Sequence, residues 1–184
     1  MPYYRRTGGG LTVSGGEPAV QWQFTRELLR RAKEAGVGTL VETAGAVGWE
    51  QLWAALEEAD IVYFDLKFAS SELHKRYTGM DNALILDNLR NTSARKENLV
   101  VRIPLIPGIN DAPEELGRMA ELICRLPHVS RIGLLPYHRY GVKKYALLGR
   151  DYALEQVPVQ AEHSVAQARD LLARATGREV RSGI

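Results

Sequence analysis

The chain has 184 residues, of which 45% are hydrophobic and 25% charged, an ordinary globular balance with enough length for one sizeable core. Its formal net charge of +2 is too small to argue for nucleic acid or a membrane surface as a partner, and no apolar run approaches the roughly 20 residues of a membrane span. A single cysteine, Cys124, excludes an internal disulfide and points to a reducing, cytoplasmic setting.

In chain order, the pattern is a short apolar run, a polar or Gly-containing turn and an amphipathic stretch, recurring at about the 30-residue spacing of a βα unit. Leu11-Thr12-Val13 leads into Ser14-Gly15-Gly16-Glu17-Pro18 and a predicted helix from Val20 to Ala35, with Gly36 as its C-cap. Thr39-Leu40-Val41 ends at Glu42-Thr43, and a helix from Trp49 to Glu58 follows, burying Leu52, Trp53 and Leu56. Ile61-Val62-Tyr63-Phe64 ends at Asp65-Leu66-Lys67, before helices at Ser71 to Tyr77, capped by Ser70, and Asn82 to Ala94. Leu99 to Ile106 reads as a buried strand stopped by Pro107-Gly108. Asp111 and Pro113 then open a helix reaching Leu126. Arg131 to Leu135 is the last core strand, running into Pro136-Tyr137-His138. A helix from Glu162 to Thr176 and a short strand at Glu179 to Arg181 close the chain.

Strands apolar on both faces and alternating with helices imply a parallel sheet covered by helices. About five such units fit a partial (β/α) barrel better than a closed eight-stranded one, which needs about 250 residues. A doubly wound open sheet is the alternative. With no linker or low-complexity segment, residues 1–184 read as a single domain.

Parallel α/β folds build their sites at the C-terminal ends of strands. Ser14 to Glu17, Glu42 and Thr43, Asp65 and Lys67, Arg102 and His138 all fall within or after an apolar run. Asp65 and Lys67, two apart, share a strand face. They suit either the ammonium and carboxylate of an amino-acid ligand or a structural ion pair. The glycine-rich loop at residues 7–18 allows close backbone approach, yet it is neither a P-loop nor Gly-x-Gly-x-x-Gly, because Val13 occupies the third glycine's place. On these residues alone a tight strand-to-helix turn is the favoured explanation. Cys124 reads as a small buried apolar residue, and Trp22, Trp49 and Trp53 as packing. His74, His128 and His163 fall on helix surfaces or loops and receive no role.

Four ordered blocks carry a resemblance: Gly8 to Pro18; Phe64-Asp65-Leu66-Lys67 with Glu72 to Gly79; Val101 to Asp111; and Leu134-Leu135-Pro136-Tyr137-His138. Together they resemble the radical S-adenosylmethionine (SAM) activating enzymes of glycyl-radical enzymes, the pyruvate formate-lyase activating enzymes among them. The resemblance implies a partial barrel of the radical SAM type. It also implies reductive SAM cleavage on a [4Fe–4S] cluster, and a 5′-deoxyadenosyl radical that takes a hydrogen from a glycine of the partner. Reduced flavodoxin or ferredoxin is the implied electron donor.

Carried over by position, Ser14, Gly15, Gly16 and Glu17 would lie at the methionine amino group, with Asp65 and Lys67 flanking the amino and carboxylate groups. Arg102 would line the barrel and His138 would reach SAM from the last strand. Glu42, Thr43 and Asp65 match positions for a monovalent cation, although Glu42 stands where Asp is expected. The family's Cys-x-x-x-Cys-x-x-Cys, upstream of the glycine run, is not in this sequence, and three thiolates are needed for such a cluster. The expectation is therefore a chain lacking the first βα unit and inert alone, with an exposed edge strand inviting a dimer. The alternative is a non-redox SAM- or partner-binding module on the same fold. An unrelated α/β enzyme using Asp65 and Lys67 for acid–base or Schiff-base work ranks behind both.

Overall fold

The computed structural model describes residues 9–142, 147, 149 and 151–183. Gly8 of the glycine run lies outside the described residues. Six strands, β1 (Gly10–Val13), β2 (Gly38–Thr43), β3 (Ile61–Asp65), β4 (Leu99–Leu105), β5 (Arg131–Pro136) and β6 (Val180–Ser182), form one sheet in sequential order. Every neighbouring pair is parallel, and among the described residues the sheet is open, with β1 and β6 at its edges. The partial βα architecture expected from the alternating pattern is what forms. Its sixth strand is the short C-terminal one, paired to β5 through Ile132 and Val180.

The crossovers are α1 (Trp22–Glu34), α2 (Trp49–Leu56), α3 (Ser71–Thr78), α4 (Ala83–Ser93), α5 (Pro113–Cys124) and α6 (Glu162–Thr176). Their apolar stripes bury Leu29, Leu52, Leu56, Leu89, Met119, Ile123 and Leu172 against Val41, Val62, Phe64, Val101, Ile103, Ile132 and Leu134 of the sheet. Fully burying one such side chain is worth about 1.5–3 kcal/mol, so this face holds the fold. Side chains alternate across a strand, and the opposite, inner face therefore receives Glu42, Tyr63, Asp65 and Arg102. The strands are not apolar on both faces: β2, β3 and β4 each carry polar groups inward at their C-terminal halves.

Local boundaries differ from the sequence reading for identifiable reasons. A 3-10 turn (Pro18–Gln21) precedes α1, because the Glu17 carboxylate accepts from Ala19 N and draws the chain into a tighter first turn. Gly36 follows α1 with φ of +71°, as a helix-ending glycine should. Ser70 caps α3 by accepting from Leu73 N. Asp111 does not cap α5: its carboxylate accepts from Gly108 N, closing the turn after β4, and Ala112 takes the cap position with no side-chain bond. Helix α5 stops at Cys124, since Arg125 N and Leu126 N reach carbonyls only three residues back.

Two side chains sit elsewhere than expected. His74 is buried, at 4% exposure, because the chain after α3 folds back over it. Its Nδ1 lies 2.7 Å from Met80 O, and its ring meets Phe68 edge-on. Cys124 is exposed, its thiol 3.4 Å from Ala175 O, because α5 ends there at the outer surface of the helix layer. Trp49 and Trp53 stack on each other beneath Arg95, packing at the rim of α2. Among the described residues no helix is long and apolar enough to cross a membrane.

On the outer face of α1, Glu27 accepts from Arg30 and Arg31. Those bonds, Arg30's foremost, hold its carboxyl at about 2, below the ordinary carboxylate value of 4.5. A depressed acid pKa stabilises fully above the unfolded value and loses that contribution as pH falls through the folded one. Urea midpoints of the wild type and Glu27→Gln should therefore converge between pH 4.5 and 2. A gap as wide at pH 2 as above pH 4.5 would rule out this pairing as its source.

Candidate functional site

The polar groups of the inner face gather around one guanidinium. Asp65, the last residue of β3, is opposite Arg102 of β4 in the parallel register, and Glu42 stands on the adjoining strand β2. Arg102 Nε donates to Asp65 Oδ1 at 2.8 Å, while its two terminal nitrogens donate to Glu42 Oε1 at 2.8 Å and Oε2 at 3.3 Å. The planar fork thus spans three strands, which a lysine could not do. Its side chain is 10% exposed, against 26% for Glu42 and 23% for Asp65. Burial alone would lower the Arg102 pKa, but the bonds to Asp65 and then Glu42 outweigh it and raise it. Beneath the guanidinium lies the Tyr63 ring, 5.2 Å away, whose hydroxyl accepts from Arg131.

The loop after β1 joins this cluster from the edge. Ser14 Oγ donates to Glu42 Oε2 at 2.7 Å. Glu17 turns toward β2: it accepts from Thr43 Oγ1 at 2.7 Å and from Ala44 N at 3.0 Å. Its carboxylate is thereby committed to holding the loop against the end of β2. Gly15 has φ of +128° and, like Gly16, open space where a Cβ would stand. Two successive exposed peptide groups are therefore accessible at the rim.

The structure brings Ser14, Glu17, Glu42, Thr43, Asp65 and Arg102 together. The structural ion pair of Asp65 is with Arg102, not with Lys67. Lys67 follows β3, half-buried, and its ammonium makes no hydrogen bond or ion pair among the described residues. Thr43 faces the helix side, bonded to Glu17 and Gly45 N, so it does not share the inner face with Glu42 and Asp65. His138 caps a short 3-10 turn (Arg139–Gly141) through Tyr140 N and stacks on the Tyr140 ring. It is exposed and bonded to no member of the cluster. Among the described residues no group of three or more His, Cys, Asp or Glu could hold a metal ion.

Sequence reasoning passed over Tyr63, although it is two residues before Asp65 on the same face. It also missed Asn82, Asn110 and Glu115, which hold the loop carrying Lys67 from 13 to 46 residues away. No local spacing signals such long-range bonds.

An all-parallel βα sheet with its ionisable groups at the C-terminal ends of successive strands defines an α/β protein of the partial-barrel class. The family model of the radical SAM superfamily matches residues 3–123. The chain is 42% identical over 157 residues to the isethionate sulfite-lyase activating enzyme of Oleidesulfovibrio alaskensis, covering 84% of this chain and 50% of that protein. It is 36% identical over 173 residues to the pyruvate formate-lyase-activating enzyme of Staphylococcus epidermidis, covering 91% and 69% respectively. A solved domain of a pyruvate-formate lyase-activating enzyme from Bacteroides vulgatus superposes with a TM-score of 0.79 at 28% identity, covering 96% of this chain and 99% of that one. The chain belongs to the radical SAM superfamily, and its homologues there are the activating enzymes of glycyl-radical enzymes. It spans about half the length of several curated relatives it matches.

The residues present suit one of the two groups that family implies. Exposed peptides at Gly15-Gly16, a Lys67 ammonium unpaired among the described residues and a second Asp65 oxygen free of Arg102 complement an amino-acid zwitterion such as the methionine end of SAM. An iron–sulfur cluster finds no such match here. The sequence contains one cysteine, and it sits on the helix layer, across the sheet from the polar face.

Proposed function

We propose that these residues form the SAM-binding part of a glycyl-radical-enzyme activase. The observation that carries the reading is the Arg102 cluster beside the open Gly15-Gly16 loop and the unpaired Lys67. In this reading Lys67 meets the SAM carboxylate, while Asp65 and the Gly15-Gly16 peptides receive its amino group. Ser14 and Glu17 keep the loop against β2, and Arg102 fixes the spacing of the two carboxylates. His138 approaches from the end of β5. In a protein that also held a [4Fe–4S] cluster, SAM bound by these residues would supply radical chemistry directed at a glycine of a partner such as pyruvate formate-lyase. The relatives' names support that class of partner, and reduced flavodoxin or ferredoxin would supply the electron. A monovalent cation at Glu42 and Asp65 would have to share their oxygens with Arg102 and Ser14, and Thr43, on the other face of β2 and bonded to Glu17, would not join it.

With one thiol in the chain, the cluster's thiolates must come from residues outside these 184, and the chain alone is inert toward SAM. The test is anaerobic iron–sulfur reconstitution of this chain beside a version carrying an upstream Cys-x-x-x-Cys-x-x-Cys segment from its gene. The expected result is a reduced-cluster EPR signal, perturbed by SAM, in the longer protein only. A SAM-perturbed signal from the 184 residues by themselves would refute the inert reading. If no cysteine segment exists upstream and calorimetry still shows SAM binding, the single thiol favours the non-redox binding module instead.

A further inference from the structure

The backbone that carries Lys67 is held by three buried side chains from three different elements. Asn110, in the loop after β4, donates from Nδ2 to Lys67 O at 2.9 Å and to Pro104 O at 2.6 Å, and accepts from Ile106 N at 2.8 Å. Asn82, the residue before α4, donates to Phe68 O at 3.0 Å and Ala69 O at 3.2 Å. Glu115, in the first turn of α5, accepts from Ala69 N at 2.6 Å and Ser70 N at 3.0 Å. Asn110 is 1% exposed, Asn82 2% and Glu115 3%.

Four consecutive residues, Lys67 to Ser70, thus have their peptide groups fixed by partners that are themselves locked in place. Asn110 is the link that matters for the rim. Its amide ties the second residue after β3 to the penultimate residue of β4, two positions beyond Arg102 on the same face. The preceding peptide is tied the same way, since Leu66 N donates to Arg102 O at 2.8 Å. Against this rigid support the Lys67 ammonium itself is unpaired among the described residues. A side chain anchored at its backbone and free at its head is preorganised for something outside the chain.

We infer that Asn110 is a positioning residue for Lys67, setting where its ammonium stands relative to the Arg102 cluster. The inference rests on the reading that Lys67 meets the SAM carboxylate. Outer partners of ligand-holding residues typically cost 10- to 100-fold in affinity when removed. Asn110→Ala should therefore weaken SAM binding by roughly tenfold, measured by calorimetry on the longer protein that carries the cysteine segment, with its cluster reconstituted. In a Lys67→Ala background the same substitution should cost less than about twofold, because coupled residues share one loss. Asn110→Ser, which relaxes the packing less, is to follow the same pattern if the alanine variant folds poorly.

Equal losses in both backgrounds would make Asn110 a general structural residue and overturn the inference. If Lys67→Ala leaves SAM affinity unchanged, the ligand assignment of Lys67 fails separately. The positioning role is then decided by hydrogen exchange at the bonded Leu66, Ala69 and Ser70 amides. Asn110→Ala should speed these at least about tenfold while β2 amides keep their protection, and unchanged exchange would overturn it.

Discussion

Arg102→Ala is expected to cost this protein about 3–5 kcal/mol of stability, the loss seen when one partner is removed from a buried ion pair. The reason is what remains. Glu42 and Asp65 stand on neighbouring strands with the guanidinium between them, and without it two carboxylates face each other under partial burial. Both keep some exposure, 26% and 23%, so the lower half of that range is the sharper expectation. Arg102→Lys should recover little, because one ammonium cannot replace a planar fork that reaches both carboxylates. The deciding measurement is urea unfolding of Arg102→Ala beside the triple variant Arg102→Met, Glu42→Gln, Asp65→Asn. Removing all three charges together should restore most of the loss, since well-packed neutral replacements of buried ion networks are often near neutral. If the triple variant is no better than Arg102→Ala, the deficit lies in lost packing on Tyr63 and not in uncompensated charge. On the proposed SAM site the triple variant, having lost the Asp65 carboxylate, should bind SAM poorly even with its stability restored, and unchanged SAM binding would count against that site.

Gly45→Ala is expected to be comparably severe for a steric reason. Gly45, two residues after Thr43 at the end of β2, has φ of +68°, and a Cβ there would clash with the tip of the Phe64 ring. The left-handed conformation costs an alanine about 1–2 kcal/mol. Forcing Phe64, fully buried in the core, to move adds about 1–3 kcal/mol of overpacking, for about 2–5 kcal/mol in total. The backbone of Gly45 cannot simply shift: its N–H donates to Thr43 Oγ1 at 2.9 Å and its carbonyl accepts from Asn88 at 2.8 Å. Gly36→Ala is the control, since Gly36 has φ of +71° with nothing near its Cβ position. It should lose only the conformational part. Thermal unfolding of both variants isolates the clash as their difference, and Phe64→Leu in the Gly45→Ala background should return part of it. Equal losses at the two glycines would mean that the ring yields freely.

These two positions divide differently between sequence and structure. Arg102 was legible as a lining residue, because an arginine inside the otherwise apolar Leu99-to-Leu105 run demands partners. Its actual partners were not. The two-residue spacing of Asp65 and Lys67 suggested a pair along one strand. The parallel register instead set Asp65 beside Arg102, across the sheet, and brought Glu42 in from the strand beyond. Gly45 carried no signal, because the ring that forbids a side chain there belongs to a strand 19 residues further on. His74 and Cys124 exchanged their expected environments for a related reason. Burial at the end of a helix depends on what folds over it, and local periodicity does not report that.

The sequence by itself determined the alternation of strand and helix, the face on which each helix packs, and the rim where ionisable groups would collect. These follow from side-chain periodicity and from turn residues, which act within a few positions. Four ordered motifs also carried the family. Only the tertiary structure decided which charges meet, that Glu17 is spent on Thr43 and Ala44, and that Asn82, Asn110 and Glu115 brace the loop of Lys67. Those contacts join residues from 13 to 60 positions apart, and the stagger of six parallel strands sets them.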